Sequence, residues 1–441
     1  MAGTEAVLPG GPRLTDAISL GVLTAQFPLD LVEQILFETE RLSERQRDLP
    51  AQVMVYYAIA LALYADVSTR EVLRCLLEGM RWLGDPTTAP APAGKSGISQ
   101  ARTRLGAAPL EALYRAVVAP VATADTPGAM YRGWRVMSLD GTTLDVGDTA
   151  ANRRAFGRPT STRGANRTGA FPQLRVVGLV ETGTHVLCGA QLGAYHTGEV
   201  TLAADVVPHL AGDMLCLADR GFLGFDLWRQ AAGTGAALVW RAKASQRLPV
   251  LERYADGSYR SELRWNPHCR QEDRTPISVR VVAYTLPGVP TAEAPYRLVT
   301  SILEPGQAPA AELAALYHER WEIETTFDEF KTHLRGAQKV LRSKTPELVR
   351  QEAWGFLLAH FALRALMHEA ALGARPQARD PDTLSFTHAL RVTRRTLPHV
   401  AALPPSGLAA RPSGHPPRAA HRVRQLQSGP RRAARRETQD E

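Results

Sequence analysis

The hydrophobic pattern of the chain changes its period near residue 134. Before that point, segments such as LDLVEQILFETERL and REVLRCLLEGMRWLG carry apolar residues three or four positions apart, which is the spacing of helices. After it, WRVMSLDGTTLDV, FPQLRVVGLVE and HVLCGAQLGAY predict three consecutive strands, followed by a helix in EVTLAADVVPHL and by further strands and helices. We therefore predict an α/β domain with a mixed sheet, preceded by an all-α N-terminal domain.

Composition and turn signals divide the 441 residues further. The stretch GDPTTAPAPAGKSG predicts a linker, and β-favouring segments between turn signals interrupt the α/β domain. The end of the chain carries eight arginines and no lysine in a Pro- and Ala-rich context, which predicts disorder. The predicted units are a helical domain (1–83), a linker (84–97), a short helical segment (98–133), the first part of the α/β domain (134–243), a β-rich insertion (244–303), the second part of the α/β domain (304–373), a C-terminal segment (374–401) and a disordered basic tail (402–441).

Charge and cysteine usage restrict the class of protein. A net charge of +8 and a pI near 9.5 favour a polyanionic partner. The four cysteines show no CxxC spacing, which argues against a zinc ribbon or a disulfide framework and is typical of a reducing compartment. The start of the chain has no secretory signal pattern, and the longest apolar run, MVYYAIALALYA, is too short to span a bilayer. We expect a soluble, cytoplasmic protein without a membrane partner.

Two aspartates lie where predicted strands end. Asp140 follows the apolar run in SLDGTT, and Asp219 follows another in LADRGF. In open α/β sheets, functional side chains collect beyond the carboxyl ends of strands, and carboxylate oxygens are the ligands of hard cations such as Mg²⁺. The alternative is structural: Asp140 would cap a turn at Gly141, and Asp219 would pair with Arg220.

The segment YHERWEIETTFDEFK combines acidic, basic and aromatic residues on one predicted helix. At 100° per residue, four polar side chains fall within an arc of about 60°. These are Tyr317, Arg320, Glu324 and Lys331, and the adjoining apolar stripe consists of Ile323, Phe327 and Phe330. Asp328 is a rival carboxylate on the same face. An exposed helix with ion pairs such as Arg320 with Glu324 is the alternative interpretation.

Several other residues are open to a functional or a structural interpretation. Arg153, Arg154 and Arg158, together with Arg163 and Arg167, occupy a predicted mobile loop that could neutralise phosphates or simply be solvated. Trp265 in the insertion could stack on an unpaired base, although packing of Trp265 and Trp240 in the core is favoured. His196 and Glu199 in YHTGE could be metal ligands, but a turn at a strand end is favoured. Arg102 and Arg104 make the 98–133 segment a candidate DNA-contacting module.

Asp140, Asp219 and the spacing Y-(2)-R-(3)-E-(6)-K resemble the DDE transposases of the insertion sequence 4 family, and the similarity covers roughly residues 15–400. The resemblance implies a ribonuclease H-like catalytic domain that is interrupted by a β-strand insertion and binds two Mg²⁺ or Mn²⁺ ions. It implies that Asp140 bridges both ions, while Asp219 and Glu324 each complete one site. Arg320 and Lys331 would hold phosphates, and Tyr317 would contact a phosphate or position Glu324.

The same resemblance implies the reaction and the partners. The expected function is cut-and-paste transposition, in which metal-dependent cleavage of element-end DNA is followed by strand transfer into target DNA. The expected partners are the terminal inverted repeats and the target DNA, which a homodimer of the protein would bind. The protein is expected to be associated with the nucleoid. A decayed, non-catalytic protein that binds inverted repeats is the alternative, as is a carboxylate hydrolase such as a glycosidase. The decayed protein is kept as an alternative because residues after Pro404 depart from the family, as a frameshift at the end of the gene would produce.

Overall fold

A computed structural model describes residues 23–43, 49–65, 67–80, 94–159, 171–265, 274–285, 296–336, 340–373 and 379–395. Most of the predicted linker, the basic tail with its suspected frameshift, and Arg163 and Arg167 lie outside these residues. Within the described ranges, every helix is too short or too polar to cross a membrane.

Helices α1 to α5 precede the sheet, as the helical period predicts. The α-helices span Leu29–Glu38 (α1), Ala51–Leu63 (α2), Thr69–Met80 (α3), Lys95–Leu105 (α4), Ala108–Val117 (α5), Ala150–Phe156 (α6), Glu199–Val206 (α7), Phe225–Ala232 (α8), Ala310–Leu316 (α9), Glu322–Asp328 (α10), Pro346–Gly373 (α11) and Phe386–Arg395 (α12). Short 3₁₀ helices cover Val207–His209, Tyr317–Trp321 and Pro381–Thr383, and a π-helical segment covers Glu329–Leu334. Helix α4 begins at Lys95, inside the predicted linker, so the linker prediction extends three residues too far. The Gly and Ser residues of this stretch concealed the start of the helix.

Among the residues that the structure describes, ten strands form one sheet. They span Met130–Tyr131 (β1), Trp134–Asp145 (β2), Gln173–Glu181 (β3), Val186–Ala194 (β4), Met214–Ala218 (β5), Ala237–Arg241 (β6), Glu252–Arg253 (β7), Tyr259–Leu263 (β8), Ile277–Tyr284 (β9) and Tyr296–Thr300 (β10). Their order is β4-β3-β2-β5-β6-β10-β9-β8-β7, with β1 paired to β2. Strands β2, β3 and β4 are antiparallel, whereas β5 and β6 run parallel to β2. This order and direction are the ribonuclease H-like mixed sheet that the resemblance implies.

The β-rich insertion extends this sheet. Its last strand, β10, pairs antiparallel with β6, with Leu298 opposite Arg241, and β9, β8 and β7 follow outward. The insertion therefore returns to the central sheet just before the helix that bears Glu324 begins.

Helices α2 and α11 form the centre of the helical layer. Nearly every side chain of α2 is buried, so this helix has no polar face and packs inside the protein. Gly355 of α11 allows the two helices to approach closely, because a Cβ there would lie 2.5 Å from the carbonyl oxygen of Ala58. The close packing ties the N-terminal helices to the α/β domain.

Arg102 serves this packing and is not available to DNA. Its side chain is buried, and it donates hydrogen bonds to Gln351 Oε1 at 2.8 Å and Ser343 Oγ at 3.0 Å. The expectation that Arg102 contacts DNA is therefore wrong, because α11 and the segment before it satisfy the guanidinium. Arg104, two residues further along α4, is exposed.

Candidate active site

Asp140 and Asp219 each come directly after the last paired residue of two neighbouring parallel strands. Strand β2 runs parallel to β5, and the last residues in register are Leu139 and Ala218. Asp140 is the next residue of β2 and Asp219 directly follows β5, so the two aspartates lie side by side where the parallel pairing ends. The prediction that β2 ends at Asp140 is wrong: the strand continues to Asp145 because its far side remains paired with β3.

The helix that bears Glu324 is not one regular α-helix. Its backbone changes from α in α9 to 3₁₀ over Tyr317–Trp321, back to α in α10, and then to π over Glu329–Leu334. A uniform 100° per residue therefore does not describe it, although the residues that the wheel groups together still face the sheet. Tyr317 anchors the first part, since its buried hydroxyl donates to the carbonyl oxygen of Ala218 at 3.2 Å.

Arg320 lies at the centre of the site. One guanidinium nitrogen donates to Asp140 Oδ2 and the other to Glu324 Oε1, both at 3.3 Å. Its side chain is only 9% exposed, and that of Glu324 is 49% exposed. Burial opposes the charge of Arg320, but Tyr317, Asp140, Asp219 and Glu324 hold the pKa of the guanidinium above its ordinary value. All three predicted carboxylates therefore act on one positive charge.

The surroundings of Asp140 perturb its carboxyl group. Burial raises the pKa of its carboxyl to about 6, and the nearby charges of Glu199 and Asp219 add to this effect. The backbone N–H of Gly141, which donates to Asp140 Oδ1 at 2.7 Å, and the guanidinium of Arg320 act in the opposite direction. Asp140, Asp219 and Glu324 thus carry more negative charge than Arg320 alone balances.

Lys331 reaches the same sheet edge from the π-helical segment. Its Nζ donates to Thr142 Oγ1 at 3.0 Å, and Thr142 lies two residues after Asp140 on the same face of β2. Asp328, the rival carboxylate, is directed elsewhere: its side chain is 57% exposed, and its Oδ2 lies 3.3 Å from His333 Nε2. The geometry therefore separates Asp328 from Glu324, which the helical wheel could not do.

The predicted basic loop is partly a helix. Arg153 and Arg154 belong to α6, which Thr149 caps by accepting a hydrogen bond from the backbone N–H of Asn152 at 3.1 Å. Arg153 and Arg158 both bind Asp148, at 3.0 and 2.5 Å, and lower the pKa of its carboxyl. Arg154 is exposed. The loop prediction is wrong for Arg153 and Arg154 because Thr149 caps a short helix at this position.

Glu199, Trp265 and Trp321 have positions or contacts that the sequence alone does not report. Glu199 begins α7, where the helix in EVTLAADVVPHL is predicted, and the favoured turn contains His196. Glu199 pairs with Arg175 and lies so near Gly141 that a Cβ there would be 2.9 Å from its carboxyl carbon. Trp265 is 39% exposed, so the favoured core position is wrong, whereas Trp240 is buried against Trp228 as favoured. Trp321 is 55% exposed, with the guanidinium carbon of Arg320 5.1 Å from its ring centre.

A ribonuclease H-like sheet with acidic residues at the end of its parallel strands is the architecture of an enzyme that acts on nucleic acid. Residues 17–115 match the insertion element 4 transposase N-terminal family, and residues 132–362 match the transposase DDE domain family. The chain belongs to the DDE transposase family, and its function is DNA cleavage and transposition. The family implies dependence on a divalent metal ion.

The chain is similar to known transposases over most of its length. It is 27% identical over 376 residues to the transposase InsG for insertion sequence element IS4 of Escherichia coli (strain K12), which covers 83% of this chain and 80% of that protein. A solved structure of piggyBac transposase in a synaptic complex with hairpin DNA aligns with a TM-score of 0.45 and 10% identity, over 95% of this chain and 87% of that one.

Proposed function

We propose that Asp140, Asp219 and Glu324 are the catalytic carboxylates of this transposase and hold two Mg²⁺ or Mn²⁺ ions. The observation that supports this most is the position of Arg320, which donates to Asp140 and Glu324 and whose charge is stabilised by Asp219 as well. Three carboxylates around one guanidinium leave uncompensated negative charge, and an all-oxygen donor set suits these hard cations.

The bound ions would supply activation of the attacking oxygen and charge neutralisation at the leaving oxygen of a phosphodiester. Arg320 and Lys331 would bind the phosphates that flank the cleaved bond, the first through its planar fork and the second as a point charge. Phosphate binding by Arg320 would also release Asp140 and Glu324 from the guanidinium. Tyr317 would position this helix, because its hydroxyl bonds the backbone of β5 one residue before Asp219.

The DNA is proposed to be the terminal inverted repeats and then the target, held by a homodimer that brings two ends together. Arg154 is exposed on the same short helix as Arg153, which supports a role for α6 in contacting the phosphate backbone of DNA. Arg153 and Arg158 would join it by exchanging Asp148 for phosphate oxygens. Each phosphate contact would steepen the salt dependence of DNA binding.

A strand-cleavage assay on duplex DNA carrying the element's terminal inverted repeat tests the site. Asp140→Asn and Glu324→Gln are expected to abolish cleavage in Mg²⁺ and Mn²⁺ while leaving DNA binding in place. Asp328→Asn is the matched control, because it removes an exposed carboxylate from the same helix and should cut like the parent.

Cleavage by Asp140→Asn or Glu324→Gln at the parental rate would refute the assigned site. A parent that binds the repeats but never cuts them would favour the decayed DNA-binding protein instead. Mass photometry of the repeat complex tests the dimer, with two chains per pair of ends expected.

A further inference from the structure

A second cluster of ligating side chains lies behind the helix that bears Glu324. His185 is in the turn between β3 and β4, Glu322 begins α10, and Asp382 belongs to the 3₁₀ helix before α12. The Nε2 atom of His185 is 2.9 Å from Glu322 Oε2 and 3.2 Å from Asp382 Oδ1. Within the ranges that the structure describes, this is the group of His, Cys, Asp or Glu residues whose ligand atoms all lie within 4.8 Å of one another.

The imidazole of His185 is held firmly. Its side chain is 3% exposed, and its backbone has a φ of 55°, a conformation that a non-glycine residue adopts only where its surroundings hold it. Glu322 and Asp382 are 34% and 29% exposed in their side chains, so the open side of the cluster faces solvent. A small cation could therefore enter from the side of the two carboxylates and meet the buried nitrogen.

The charges around the cluster favour a cation. Behind the imidazole, Glu329 is buried and is bound by Arg364, whose Nε donates to Glu329 Oε2 at 2.9 Å. Glu322, Glu329 and Asp382 thus place three carboxylates around the imidazole of His185, with one guanidinium, that of Arg364, beside them. Burial opposes such an imbalance unless it is compensated. A divalent ion would neutralise it.

We propose that His185, Glu322 and Asp382 form a second metal site that binds one divalent transition-metal ion of the zinc class. One imidazole nitrogen and two carboxylate oxygens match the N/O ligand preference of Zn²⁺, with solvent completing the coordination. This site is separate from the one proposed for catalysis, because Glu322 and Glu324 point to different sides of α10: Glu322 binds His185, whereas Glu324 binds Arg320.

Binding would change the tautomer of His185. In the structure Arg364 lies against Nδ1 and Glu322 Oε2 lies 2.9 Å from Nε2, an arrangement that suits a ring proton on Nε2. A metal ion at Nε2 requires the ring proton to be on Nδ1 instead. Glu329 Oε1, 3.5 Å from Nδ1, is placed to accept a hydrogen bond from that N–H. Arg364 would withdraw from Nδ1 and keep its bond through Nε to Glu329. A carboxylate behind a ligating histidine is the usual support of such a metal ligand.

The consequence is a link between three separate parts of the chain. The ion would join the β3–β4 turn, the first residue of α10 and the segment leading to α12, and so fix the back of the helix whose front carries Glu324. It would contribute to the stability of the fold without touching DNA.

Zinc binding by a full-length, untagged variant that lacks the catalytic carboxylates tests this site independently of catalysis. The background is Asp140→Asn, Asp219→Asn and Glu324→Gln together. After chelation, gel filtration and addition of Zn²⁺, atomic emission should find about one zinc ion per chain, and Tm should rise on zinc addition. Adding Asp382→Asn or His185→Gln should lower the zinc affinity at least ~10-fold and remove the rise in Tm.

Asp328→Asn in the same background is the matched control and should retain the zinc ion. Asp382→Asn decides the result if His185→Gln does not fold, since Asp382 lies at the surface and circular dichroism can verify the fold. Absence of bound zinc in the background variant would overturn the proposal and leave His185 as the centre of an ion-pair cluster. Zinc that persists in Asp382→Asn and His185→Gln would overturn it equally.

Discussion

Replacing Asp140 by Asn should stabilise the metal-free protein at neutral and alkaline pH. The folded state raises the pKa of this carboxyl from 3.8 to about 6, so folding disfavours its charged form. At 1.36 kcal/mol per pKa unit the full shift corresponds to about 3 kcal/mol, and the 22% exposure of the side chain reduces the expected gain to about 2 kcal/mol. For a chain of 441 residues, thermal unfolding in EDTA at pH 8 should show a rise in Tm of roughly 2 °C.

The sign of the pH dependence follows from the direction of the shift. Below pH 3.8 the carboxyl is protonated in both states, and above about 6 it is ionised in both, so the penalty develops between these values. The advantage of Asp140→Asn should therefore be smaller at pH 5 than at pH 8. Asp328→Asn should change Tm at neither pH. A lower Tm for Asp140→Asn at pH 8, or an equal gain at both pH values, would refute the reasoning.

Other perturbations test the helix and the packing. Gly355→Ala should destabilise the protein by about 1–3 kcal/mol in thermal unfolding, because the new methyl would meet the carbonyl oxygen of Ala58. Lys331→Ala should lower cleavage and reduce the salt slope of DNA binding by about 1, measured by fluorescence anisotropy, whereas Lys331→Arg should keep the slope. Tyr317→Phe should cost about 1 kcal/mol of stability by losing its bond to Ala218, and should slow cleavage without weakening DNA binding.

The architecture was largely predictable because it depends on hydrophobic period. The three strands before α7, the strands around α8 and the long helix α11 all lie where alternating or helical spacing places them. Continuation of β2 through Gly141 was not predictable in this way. Gly141 resembles a turn signal, but the pairing of this half of the strand with β3 is a long-range contact that local composition does not report.

The residues of the candidate site were predictable, but their contacts were not. Strand ends indicate Asp140 and Asp219, helical spacing groups Tyr317, Arg320, Glu324 and Lys331, and the family resemblance implies their roles. The proximity of Glu199 to Gly141 depends on how α7 packs against the sheet, which no local pattern contains. Glu329 is contacted by two buried residues of another helix, Arg364 and His360. A helical wheel gives the face on which Glu329 lies, but it cannot predict these partners.

The pairing of β10 with β6 has a consequence for how this protein can vary. The chain leaves the central sheet after Arg241 and returns to its edge at Tyr296, so the outer strands form an excursion whose two ends are hydrogen-bonded neighbours. Residues can be gained or lost within the excursion without moving the strand that leads into α9. The outer part of the sheet is therefore free to diverge in length and surface among relatives, while the distance between β5 and the helix of Glu324 stays constant.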